Sequence, residues 1–131
     1  MNKFFLILVS VVYVSTQAIA QTSFSCNYRE YCDWNEEEKK FDQCKGYEES
    51  SLFVMNKEQT MFEHTIVSMK SAYYVSEKQY DEENEVWTYE VTSDVGNKYY
   101  YIFDPKNKEI RALYVKEDKT YLIRFYVKAI F

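Results

Sequence analysis

From Val86 to Ser93 the chain alternates. Trp87, Tyr89 and Val91 fall on one side, and Thr88, Glu90 and Thr92 on the other. A period of two marks a strand, and these residue types suit a pleated surface. Asp94-Val95-Gly96-Asn97 comes next. Gly96 and Asn97 tolerate positive φ, which predicts a tight hairpin. Lys98 to Asp104 (KYYYIFD) is the next strand, and Asp104-Pro105-Lys106-Asn107 the next turn, with Pro105 suited to its second position. Glu109 to Val115 and Thr120 to Lys128 are two more strands, split by Lys116-Glu117-Asp118-Lys119. Four sequential strands joined by short polar turns make an antiparallel meander.

The earlier pattern is less one-sided. Ser51 to Asn56 reads as a strand. Thr60 to Val67 and Ala72 to Lys78 read as a hairpin across Ser68 to Ser71. The rival is a helix within 60–70, because Phe62, Ile66 and Met69 recur at helical spacing; the β-branched residues tilt the reading to strand. Asp33 to Lys45 fits a helix through Trp34, Phe41 and Cys44, and fits a charged hairpin closing near Glu37-Glu38 equally well.

Both faces of the later strands carry apolar mass. Tyr99, Tyr101 and Phe103 oppose Tyr100 and Ile102; Tyr121, Ile123, Phe125 and Val127 oppose Leu122 and Tyr126. An open sheet with one wet face fits poorly. The expected fold is all-β, an antiparallel meander of about seven to nine strands, as a curved sheet or small calycin-like barrel. The alternative is α+β, with one helix in 33–45 or 60–70. A two-residue loop at Gly96 would set Val91 beside Tyr100 and Ile102. A three-residue loop would set it beside Tyr99, Tyr101 and Phe103.

Residues 1–20 change the picture of location. Lys3 precedes an apolar run from Phe4 to Val14, too short to span a bilayer, and Ala18-Ile19-Ala20 is an A-x-A cleavage site. The expectation is a secretory signal peptide and an exported protein, periplasmic or extracellular, without a membrane anchor after cleavage. Residues 21–50 hold the cysteines and a charge run, and are expected to pack on a 51–131 meander as one domain. Without Lys3 there are 15 basic and 21 acidic side chains, a net charge of −6. Glu30 to Asp94 holds 17 acids against 6 bases, while Lys106 to Phe131 holds 7 bases against 3 acids. That sign argues against nucleic acid and anionic membrane as partners.

Candidate chemistry is sparse. Cys26, Cys32 and Cys44 are spaced C-x5-C-x11-C, without the close pairs of a structural zinc site. In an exported chain the expectation is a Cys32–Cys44 disulfide and a leftover Cys26, with no metal and no cofactor. His64 is the only histidine and has no partner recognisable in sequence, so it reads as a polar residue on a half-buried strand. Asp81 to Glu85 is an acidic tip without the calcium-loop pattern. No nucleophile, metalloprotease or phosphate-loop motif occurs, which argues against an enzyme.

The feature that stands out is aromatic load. Aromatics are 19% of the chain, with 14 tyrosines. Trp87, Tyr89, Tyr99, Tyr100 and Tyr101 are the densest group and the candidate ligand-binding residues. The expected function is a non-enzymatic binding module for an apolar or sugar-like ligand. The other expectation is an interaction protein of inhibitor or immunity type, meeting a basic protein partner through an acidic face.

Overall fold

The computed structural model describes residues 21–131; the signal peptide read at 1–20 lies outside the described residues. The described chain forms eight strands: β1 (Thr22–Asn35), β2 (Lys40–Met55), β3 (Met61–Thr65), β4 (Lys70–Asp81), β5 (Val86–Ser93), β6 (Lys98–Asp104), β7 (Glu109–Lys116) and β8 (Lys119–Ile130). Each runs antiparallel to the next, and β8 pairs back onto β1, so the meander closes into a barrel. Closure gives the two-sided apolar pattern a place to go and leaves no unpaired sheet edge. Neither helical alternative occurs. Residues 33–45 form the β1–β2 hairpin, and 60–70 hold β3 and the turn into β4. Residue 50 falls inside β2, so the residues before it supply β1 and most of β2.

The loop at Gly96 takes the three-residue form. Ser93 N–H donates to the Asn97 carbonyl at 2.7 Å and Gly96 N–H to the Ser93 carbonyl at 2.9 Å, with Gly96 at φ 88°. Val91 therefore pairs with Tyr99 and shares the core face with Tyr101 and Phe103. Three other hairpins share a different device. The side-chain oxygen of Asn35 accepts from the N–H groups of Glu37 and Glu38; Asp81 accepts from Glu83 and Asn84, and Asp104 from Asn107. Each of these turns closes on a left-handed residue, Lys39, Glu85 or Lys108. Asn and Asp initiate such turns because they bond the backbone two or three residues on.

Two irregularities shape β1 and β2. The register shifts between Cys26 and Tyr28. A bulge inserts one residue and inverts the parity of the strand beyond it, so Arg29 and Tyr31 turn inward on the same side as Phe24 and Cys26. Farther along, the pairing steps from Tyr31–Lys45 to Asp33–Asp42, with Gln43 at φ 54°. The Cys32–Cys44 disulfide spans this second irregularity, the pairing expected where 33–45 form a hairpin. Closing a loop of this size is worth about 3 kcal/mol. Cys26 is free, buried in the core, and burial pushes its thiol up to about 12 despite a hydrogen bond with Ser51. In the native oxidised protein no thiol should react with a disulfide reagent at neutral pH. Full denaturation without reductant should release one reactive thiol per chain; three would refute the disulfide.

Candidate functional site

The barrel has two unlike ends. The upper end carries the turns at 36–39, 66–69, 94–97 and 117–118, and the lower end carries both termini of the described chain. The waist is filled by Phe53, Phe62, Tyr101, Phe103 and Phe125, all buried. Phe53 lies at its centre, 4.9 Å from the Phe125 ring centroid and 6.0 Å from those of Phe62 and Phe103.

Below the waist the interior is nearly full. Phe24, Met55, Trp87, Tyr89 and Phe103 surround a gap of only about 150 Å³. Trp87 stacks on Tyr89, whose hydroxyl accepts a hydrogen bond from Gln59 at 3.2 Å. Above the waist the barrel opens into a cavity of about 570 Å³. Its floor is Phe125, Tyr101, His64 and Arg29, and its walls carry Tyr31, Tyr73, Tyr99 and Tyr114. The rings form a chain, with centroids 5.8 Å apart for Tyr73–Tyr99 and 5.6 Å for Tyr99–Tyr114. Burial raises the pKa of Tyr99, Tyr101 and Tyr114, so all three remain neutral phenols at physiological pH.

The five aromatic candidates therefore divide. Tyr99 and Tyr101 face the upper cavity, Trp87 and Tyr89 the lower plug, and Tyr100 is exposed on the outer surface. There Tyr100 lies across from Glu90, which in turn lies across from Glu77 on β4. The acids of the middle of the chain divide as well: Glu36–Glu38 tip the upper end, and Asp81–Glu85 the lower. A larger depression of about 750 Å³ lies beside the β1–β2 hairpin and the β7–β8 turn, lined by residues such as Asp33, Glu37, Asp42 and Tyr121. Glu30, Cys32 and Cys44 lie close enough for a metal, but the disulfide consumes both sulfurs.

The floor holds Arg29, which sequence reasoning missed, and His64, which it reads as a polar residue on a half-buried strand. Arg29 lies 4.8 Å above the Phe125 ring, donates to the Tyr31 hydroxyl at 2.8 Å and pairs with Glu49 at 2.7 Å. Burial opposes its charge, but Tyr31 and Glu49 outweigh that and raise its pKa. His64 is 7% exposed and stacks flat on Phe53, with ring centroids 3.9 Å apart. Burial, and secondarily the Arg29 charge, push its imidazole down to about 3. Arg29 Nε and His64 Nε2 are buried without a hydrogen-bond partner among the described residues. Such an atom costs about 1–3 kcal/mol, so the floor has unmet bonding capacity. The signal that would have exposed Arg29 is the bulge at Asn27, because plain alternation from Phe24 and Cys26 points Arg29 outward.

The chain matches no family model, no curated protein and no solved structure.

His64 makes stability depend on pH. Its folded pKa lies below the ordinary 6.5, so between those values the unfolded chain binds a proton that the folded chain refuses. Stability is fully present above about pH 6.5 and falls as the pH drops toward the folded value, by up to about 1.4 kcal/mol per unit. Urea titrations from pH 7 to 4.5 should show this loss, and His64→Phe should reduce it. Parallel curves for the two proteins would refute the neutral buried imidazole.

Proposed function

We propose that this protein is a non-enzymatic binding module that holds a small, mainly apolar molecule in the upper cavity. The observation that carries the reading is the hollow itself. About 570 Å³ remains open at one end of a barrel whose other half is packed. That volume lies within the range of about 300–1,000 Å³ typical of small-ligand sites. Tyrosine walls suit the role, since ring faces accept an apolar or sugar-like body and hydroxyls supply directional bonds. Tyr99 and Tyr101 remain the ligand residues taken from sequence, joined by Tyr31, Tyr73 and Tyr114. The disulfide fits an oxidising compartment. With the leader sequence, it supports a periplasmic or extracellular site of action. Docking a basic partner on one acidic face draws less support, because the acidic tips point to opposite ends.

N-phenyl-1-naphthylamine, a neutral fluorescent probe, tests the reading. It should bind saturably, one per chain, with enhanced emission. Ile123 lines the cavity, and Ile123→Trp should fill it and weaken binding by at least about tenfold. Its own overpacking should cost about 1–3 kcal/mol, checked by thermal melting. Unchanged affinity in a folded variant would remove the cavity as the site.

A further inference from the structure

We propose that the ligand is an anion, a carboxylate or sulfonate carried on an apolar ring or chain, and that Arg29 and His64 at the cavity floor receive its charged head. This rests on the cavity being the binding site and names the chemistry of the molecule that enters it.

The first support is the charge of the lining. Arg29, Lys98 and Lys116 line the cavity and no acid does, in a chain whose formal net charge is −5. Glu49 offsets part of the Arg29 charge by pairing with it, and Glu90 lies near enough to Lys98 to feel its charge; neither acid lines the cavity. A cationic ligand would bring its charge against a buried guanidinium. A neutral one would gain nothing from three cations. An anion entering a site walled by low-dielectric rings meets the buried Arg29 charge where it is least screened, with the exposed lysines at the rim drawing it in.

The second support is the unmet bonding at the floor. Arg29 Nε carries an N–H without a partner, and His64 Nε2 is equally unpartnered while its ring is held flat against Phe53. A neutral imidazole protonated on Nε2 donates one hydrogen bond. An anionic head brings the acceptor oxygens that a charged Arg29 Nε–H and a His64 Nε2–H lack. The Tyr31 hydroxyl accepts from Arg29 and fixes the guanidinium plane, while the walls above receive the apolar remainder.

A matched probe pair tests this. 1-Anilinonaphthalene-8-sulfonate has the same arylamine skeleton as N-phenyl-1-naphthylamine and adds one sulfonate. The intact protein should bind the sulfonate at least about tenfold more tightly, and Ile123→Trp should weaken both probes. The double variant Arg29→Met/Glu49→Gln, which leaves neither charge buried alone, should erase the preference while the neutral probe still binds. Lys98→Gln with Lys116→Gln, on exposed rim positions and checked for folding by thermal melting, should lower sulfonate affinity a few-fold, by clearly more than it changes neutral-probe affinity. Equal or weaker sulfonate binding by the intact protein would overturn the anion while leaving the cavity reading intact. So would a preference that survives the rim variant and a folded floor variant. Binding of neither probe would sink both.

Discussion

Phe53 crosses the axis of the barrel at the one level where its walls must be bridged. An eight-stranded barrel has an interior just wide enough for side chains to fill. Here a single ring from β2 touches Phe62 on β3, Tyr101 and Phe103 on β6 and Phe125 on β8. That contact set ties opposite walls together and divides the interior. Below it, Phe103, Phe24 and Tyr89 continue the packing toward the termini. Above it, the His64 imidazole stacks on the ring and the space opens. The floor of the cavity and the top of the hydrophobic core are thus one layer. Its position decides both how much apolar area is buried and how much volume stays free.

A waist of this kind requires the correct register, since a one-residue slip would turn every inward ring to solvent. The outer surface adds a second constraint on register at the seam. Arg124 on β8 pairs with Glu30 on β1 and Glu109 on β7, and Arg111 pairs with Glu109 and with Asp104 on β6. These side chains are only 4–25% exposed. Burial pushes the Asp104 carboxyl up, but Asn107 and Arg111 together hold it below its ordinary value. The network runs across four strands and includes the pair that closes the barrel. A slipped seam would strand half-buried charges, which penalises the wrong register more than it stabilises the right one.

Much of this is legible in the residues. The alternation of Val86–Ser93, the aromatic run 98–104 and the polar turns around Pro105 and Glu117 announce strands, and β5 and β6 have the bounds that the pattern predicts. The two-sided apolar mass announces a curved or closed sheet, because an open one would leave one face in water. The disulfide is implied by spacing once 33–45 is taken as a hairpin. Alternation cannot supply height along the barrel axis. Trp87 and Tyr99 share the inner face of adjacent strands and lie at opposite ends, because height depends on strand stagger. Nor does alternation survive a bulge. Arg29 is hidden from a period-two reading by the extra residue at Asn27, and with it the polar character of the floor.

The Arg29–Glu49 pair bears on why one end is hollow. Taking two charges out of water costs several kcal/mol per ion before their attraction returns any of it. Both side chains are largely buried, at 14% and 18% exposure, and three polar atoms there, Arg29 Nε, Glu49 Oε1 and His64 Nε2, lack hydrogen-bond partners among the described residues. A barrel selected for stability alone would place leucine or phenylalanine at these positions, as the lower half does with Phe24, Met55 and Phe103. Apolar replacements at position 29 and across from it would extend the waist upward and shrink the cavity at little cost, since a buried ion pair is often matched or exceeded by well-packed hydrophobic side chains. The upper half instead keeps a guanidinium, a carboxylate and an imidazole beneath a wall of phenols. That arrangement sacrifices packing in one place only, and it is the place that opens to solvent.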